Sequence, residues 1–235
     1  MSLADRDMAQ RLGGKFLVFD GPDGSGKSTQ RDLFGARLAA AGGDVVHTKD
    51  PGGTRYGDMI RSILLDHDLS LMDVRCETFL FMASRAQLVG EVIEPALAGG
   101  RIVLCDRFIS STCAYQVAAG YALHRVLELG HYAVGDTWPD LTVVIDVAPE
   151  MGFERTGRQP ANAGRKRKDV GQPLLISGAQ ADAMEARPMD FHRRVRDTLL
   201  TLPEVYPKPV IVVDGAGAPD EVHARVWEAV AGVAL

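Results

Sequence analysis

The sequence predicts an open α/β sandwich, a parallel sheet covered by helices on both faces, and three observations carry that prediction. Five short runs rich in Val, Ile, Leu and Phe recur along the 235 residues, at 15–20, 44–47, 102–106, 141–147 and 210–214. They lack the apolar–polar alternation of a half-solvated sheet, as strands buried on both faces do. Longer stretches with helical apolar spacing separate them, so strand and helix alternate. Three runs end in Asp (Asp20, Asp106 and Asp214), and in such sheets ligands bind beyond the carboxyl ends of the strands.

In chain order, residues 1–14 are polar or mixed and read as an N-terminal extension, with no apolar leader. One domain then runs over 15–235. The stretch 28–41 follows the first strand as a helix; 55–66 and the long 73–98 follow the second. The last long helix, over 179–202, contains Pro188, which is expected to kink or divide it. Residues 157–177 break the pattern. They carry Gly, Pro, Asn and the run Arg165-Lys166-Arg167-Lys168 without apolar periodicity, and predict a mobile loop over one rim of the sheet.

Composition bounds the function. With 46% hydrophobic and 24% charged residues the chain is ordinary globular protein, and its net charge of -5 argues against a general nucleic-acid binder. No stretch is apolar enough to span a membrane. Three unpaired-looking cysteines, Cys76, Cys105 and Cys113, fit reduced thiols in a cytoplasmic protein.

Gly21-Pro-Asp-Gly-Ser-Gly-Lys27-Ser28 fits G-x-x-x-x-G-K-[ST] between a predicted strand and a predicted helix. Glycines there let backbone N–H groups converge on phosphate oxygens, and the helix N-terminus adds favourable partial charge. Residues Gly21, Pro22, Asp23, Gly24, Ser25, Gly26, Lys27, Ser28 and Thr29 are therefore the candidate cradle for a nucleoside triphosphate, with kinase, GTPase and motor all still open. Lys27 is suited to the β- and γ-phosphates and the Ser28 hydroxyl to Mg²⁺.

Four motifs in one order then resemble the thymidylate kinase family: Asp23-Gly-Ser-Gly-Lys-Ser-Thr29, Asp50-Pro-Gly-Gly-Thr54, Phe81-Met-Ala-Ser-Arg85, and the run from Asp106-Arg107-Phe108 to Ala114-Tyr115-Gln116. The resemblance implies a three-layer α/β/α P-loop kinase fold with a central five-stranded parallel sheet and a lid over about 155–178. It implies transfer of the γ-phosphoryl group of ATP to dTMP, giving dTDP for dTTP synthesis, with Mg²⁺ as cofactor. It assigns Phe81 to stacking on thymine and Arg85 to a base carbonyl; four residues apart, the two share a helix face. Arg107 is similar to the family's acceptor-phosphate arginine, and Asp106 either holds Mg²⁺ through water or braces Arg107. By the same resemblance Asp23 accepts from the 3′-OH, Thr112 lies near the N3 edge, Tyr115 packs under the sugar, and Pro51 and Gln116 contact the nucleotide. The family commonly has Arg before the PGGT turn, where this chain has Lys49; Arg55 is a candidate replacement.

Phosphoryl transfer asks mainly for positioning and charge neutralisation, and an incoming arginine is worth about 10³–10⁵ in rate. Some family members carry that arginine in the P-loop, where this chain has Gly24. The alternative source is the lid, with Arg155, Arg158, Arg165 and Arg167, and Arg158 is the leading catalytic candidate. The resemblance also implies a homodimer formed through a long helix, for which 73–98 suffices. A GTP-hydrolysing switch is disfavoured because no N-K-x-D follows residues 141–149.

Overall fold

The computed structural model describes residues 2–67, 71–157 and 187–235. Its sheet has five strands, β1 (Phe16–Asp20), β2 (Val45–Lys49), β3 (Ile102–Asp106), β4 (Leu141–Asp146) and β5 (Val210–Asp214), in the order β2-β3-β1-β4-β5. Every pairing is parallel.

The missing alternation has a direct cause. Along β1, Phe16 and Val18 enter one apolar cluster while Leu17 and Phe19 enter another on the opposite face. Each face therefore needs its own helical cover. One is covered by α1 (Leu3–Arg11), α2 (Lys27–Ala40) and α10 (Pro219–Ala231), through Met8, Phe34 and Trp227. The other is covered by α4 (Val74–Leu88), α6 (Ile109–Ala118), α7 (Leu123–Val134) and α9 (Met189–Val205), through Leu88, Cys113, Val126 and Leu199. Truncating a fully buried ring such as Phe16 to Ala costs about 3–5 kcal/mol.

Three elements differ from the sequence expectation. The predicted helix over 73–98 is α4, a π-helical turn (Val89–Ile93) and α5 (Glu94–Ala98) in succession. Pro95 has no N–H for the carbonyl four residues earlier and its ring crowds that carbonyl, so the ladder shifts and Glu94 bonds back to Val89 instead. The last long helix begins only at Met189, with Pro188 as its extended N-cap; 179–186 lie outside the described residues. The polar-looking N-terminus forms α1, capped reciprocally by Ser2 and Asp5, and it buries Met8, Ala9 and Leu12. A polar helix with one apolar stripe resembles an extension until its partner surface is known.

Among the described residues, two further helices follow the carboxyl ends of β2 and β4. They are α3 (Arg55–Leu65), packed on α4, and α8 (Pro149–Thr156), packed on α9.

Candidate active site

The loop after β1 enters α2 through Gly26 at φ +89, with no side chain capping the helix. The first-turn N–H groups are left to an anion. The loop's crown leaves no space for side chains. A Cβ on Gly24 would lie 2.1 Å from the Gly152 carbonyl oxygen, and one on Gly152 would lie 2.0 Å from that of Asp23. The loop thus rests backbone to backbone on α8, and an arginine at position 24 would have to displace that helix. Burial and the nearby Arg107 guanidinium push the Lys27 ammonium below the usual lysine range, against the pull of Asp23, Asp106 and Asp20.

Two cavities open at the carboxyl ends of the strands, and Lys27 and Ser28 line both. The second is formed by residues 24–29 of the loop, by Arg155 and Thr156, and by Gly215, Gly217, Pro219 and Val222 after β5. Glycines 24, 26, 215 and 217 line it beside Lys27, Ser28 and Thr29, and Arg155 donates to the Gly215 carbonyl at 3.0 Å. Of the predicted ATP set, Asp23 faces the first cavity, and Gly21 and Pro22 line neither. Gly21 is packed from below, since a Cβ there would lie 2.4 Å from the Ile145 carbonyl oxygen.

All eight residues predicted for the acceptor line the first cavity: Asp23, Pro51, Phe81, Arg85, Arg107, Thr112, Tyr115 and Gln116. Their side chains form two networks. At the inner end, Arg85 is 1% exposed and donates to Asp50 through Nε at 2.8 Å and through Nη2. Nη2 also reaches Thr112 Oγ1 at 3.0 Å and the Phe108 carbonyl at 3.1 Å. Burial raises the Asp50 carboxyl above the ordinary range despite the charge of Arg85.

At the outer end, Arg107 holds a left-handed backbone, φ +66. Its guanidinium donates to Ser111 at 2.9 Å, to Asp20 at 3.4 Å, to Tyr115 at 3.2 Å and to Asp23. Asp20, fully buried, also accepts from the Gly21 N–H, Ser110 and Ser111. Burial pushes the Asp23 carboxyl up, but Arg107, Lys27 and the Tyr115 hydroxyl together hold it below the ordinary range. The carboxylates that brace Arg107 are thus Asp20 and Asp23. Asp106 instead accepts from the Ser28 hydroxyl and faces Arg31 at 3.9 Å. Ser28 and Asp106 thereby set two hard oxygen donors side by side, a donor type that suits Mg²⁺.

Several residues here were not singled out from sequence. Asp20 was visible only as a strand end. Arg61, not Arg55, lies beside Lys49 at the cavity and donates to the Pro51 carbonyl at 2.8 Å; Arg55 is exposed and outside the lining. His192 packs edge-on against Phe153 and brings Nδ1 to 4.0 Å from Asp23. Its signal was absent, because its neighbours are distant in sequence. Arg158, Arg165 and Arg167 lie outside the described residues.

The chain has relatives among proteins already known. A family model described as thymidylate kinase matches residues 19–226. The thymidylate kinase of Pelobacter propionicus is 42% identical over 214 residues, covering 91% of this chain and 92% of its own. That of Deinococcus radiodurans is 38% identical over 218 residues, 92% of this chain and 96% of its own. A crystal structure of thymidylate kinase from Ehrlichia chaffeensis superposes with a TM-score of 0.69 at 27% identity, over 92% of this chain and 98% of that one. With the loop and both cavities inside the matched span, the chain belongs to the thymidylate kinase family.

Proposed function

We propose that the chain transfers the γ-phosphoryl group of ATP to dTMP, giving dTDP and ADP. The observation that carries this reading is the meeting of two cavities at Lys27 and Ser28, one floored by phosphate-binding backbone and one lined by Phe81 and the buried Arg85. In this reading the second cavity takes ATP, with its adenine against the Gly215–Gly217 turn. The first takes dTMP, with Phe81 on the base face, Arg85 at a base carbonyl and Thr112 near the N3 edge. Tyr115 lies under the sugar and Asp23 accepts from the 3′-OH.

Both substrates are anionic, so the barrier is largely repulsion between phosphates. Lys27 and the loop amides hold the donor, while Arg107 clamps the acceptor phosphate with Lys49 and Arg61 nearby. The dTMP phosphate is itself the nucleophile, so no side chain needs to remove a proton. Ser28 and Asp106 would hold Mg²⁺, which supplies charge neutralisation on the triphosphate when bound. The close contact of Gly24 with Gly152 supports drawing the transferring-group arginine from the lid, through Arg158, Arg165 or Arg167.

A homodimer is supported by the exposed stripe Tyr56, Met59 and Ile63 on α3 and by Phe79 on the adjoining α4. Cytoplasmic residence is supported by three free cysteines. Among the described residues no helix is long and apolar enough to cross a membrane. The test is transfer from Mg·ATP to dTMP, dUMP, the ribose form of TMP, dCMP, AMP, GMP and thymidine. Preference for dTMP is expected; preference for a purine nucleotide or for thymidine would overturn the acceptor reading.

A further inference from the structure

We propose that Glu77 is a positioning residue that locks the carboxamide of Gln116 with its oxygen towards the nucleobase, so that the cavity selects pyrimidines bearing an N3–H. The inference rests on reading the first cavity as the nucleobase site. Glu77, Phe81 and Arg85 stand at i, i+4 and i+8 on α4, so they form one stripe facing α6. Phe81 and Arg85 line the cavity; Glu77 sits one turn behind them, 2% exposed. Its carboxylate accepts from Gln116 Nε2 at 2.7 Å and from Arg187 Nη2 at 2.9 Å.

A carboxylate paired with a guanidinium has only acceptors to offer. Gln116 must therefore present its NH₂ to Glu77, because the flipped amide would set oxygen against oxygen. That fixes the other end. Gln116 is 1% exposed, and its Oε1 is buried without a hydrogen-bond partner among the described residues, on a side chain that lines the cavity. A buried carbonyl oxygen without a partner is costly and favours a ligand that supplies a donor. One turn earlier, Thr112 Oγ1 accepts from Arg85, whose guanidinium supplies donors only. The cavity wall therefore reads donor at Arg85 and acceptor at Gln116. Thymine and uracil match with O4 and N3–H. Cytosine reverses both positions, with an amine at C4 and a lone pair at N3.

Glu77→Gln tests this without changing size. The new amide can donate or accept, so Gln116 is free to turn either way. We expect the ratio of kcat/KM for dTMP over dCMP to fall about tenfold, the worth of one hydrogen bond, while the ratio for dTMP over dUMP stays unchanged. The exchange E77Q/Q116E, which again leaves only acceptor oxygens towards the base, is expected to regain most of the lost discrimination. An unchanged dTMP/dCMP ratio in folded E77Q would overturn the proposal, as would an equal fall in both ratios, the mark of mere loosening. If E77Q does not fold, the wild-type chain decides. N3-methyl dTMP binding at least tenfold more weakly than dTMP supports the proposal, and equal binding overturns it. Wild-type transfer to dCMP as fast as to dTMP would remove the thymine reading of the cavity itself, whereas failure of E77Q alone leaves that reading standing.

Discussion

The two cavities share Lys27 and Ser28 yet are made of opposite materials. The proposed donor cavity is rich in glycine, at 24, 26, 215 and 217, and at 24, 215 and 217 an added Cβ would lie 2.1, 2.7 and 2.4 Å from its nearest neighbour. The acceptor cavity is walled by charged side chains, two of which, Arg85 and Asp50, are 1% and 2% exposed. Burying charge is expensive unless it is paired, so the charged groups of the acceptor wall are held in ion pairs and hydrogen bonds, with Asp50 Oδ1 and Gln116 Oε1 left without partners among the described residues. In the proposed reading, grip on a phosphate chain rests largely on main-chain geometry and choice of the acceptor on side-chain pairing. Mutations in the two should therefore fail differently.

The largest expected effect is on the acceptor side. Arg85→Ala leaves Asp50 buried without its partner, and the chain should lose about 3–5 kcal/mol of stability at neutral pH. The pH dependence follows from the already raised Asp50 carboxyl. Without Arg85 it rises further, so between the ordinary and the raised value the native state holds a proton that the unfolded state has shed. Stability then increases as pH falls towards the ordinary carboxylate value of 3.8, and the deficit of Arg85→Ala should shrink over that window. Thermal melts of wild type and variant between pH 4 and 8 check this; a deficit independent of pH would mean that Asp50 is not the stranded charge.

Arg107→Ala comes next, with kcat/KM for dTMP expected to fall about 10²–10³-fold while ATP affinity changes little. Arg107→Lys should recover only part of the loss, because an ammonium lacks the planar fork that now spans Asp20, Asp23, Ser111 and Tyr115. Steady-state kinetics at saturating ATP, with nucleotide titration alongside, separate the two quantities. Equal damage to both substrates would erase the division between the cavities.

That division also explains what could be read from the chain. The phosphate loop was legible because its requirement is local: glycines, lysine and serine within eight consecutive residues, between a strand and a helix. The strands were legible because two-sided burial leaves an unbroken apolar run. The acceptor wall was legible only through resemblance, since its pairings join distant positions. Arg85 meets Asp50 across 35 residues, and Glu77 meets Arg187 across 110. Nothing in local spacing reveals that Asp20 rather than Asp106 braces Arg107, or that Arg61 rather than Arg55 turns towards Pro51. The register of parallel strands and the packing of α3 on α4 decide both.

On the donor side the sensitive atom is one that is not there. Gly152→Ala would put a Cβ 2.0 Å from the Asp23 carbonyl, so either α8 or the phosphate loop must move. A displacement near 1 Å at the loop is enough to cost about 10² in turnover. The variant should keep dTMP affinity within a few-fold while kcat falls, read from turnover together with equilibrium titration of dTMP. Wild-type turnover in Gly152→Ala would show that the loop tolerates retreat from α8, and it would reopen position 24 to the arginine that this contact now forbids.

The smallest effect is expected at Arg155, and it is the one that most sharpens the contrast. Arg155 is exposed and donates to the Gly215 carbonyl, on the turn assigned to adenine. In the proposed reading a tether of that kind holds the shape of the turn and takes no part in the transfer. Its removal in Arg155→Ala should raise KM for ATP a few-fold, the worth of one part-buried hydrogen bond, with kcat nearly unchanged. An arginine acting on the transferring phosphoryl group would instead lower kcat by about 10³–10⁵. The two outcomes differ by orders of magnitude in different parameters. A large fall in kcat would move the transferring-group arginine from the lid segment to α8, and it would make the donor cavity depend on a side-chain charge as the acceptor cavity does.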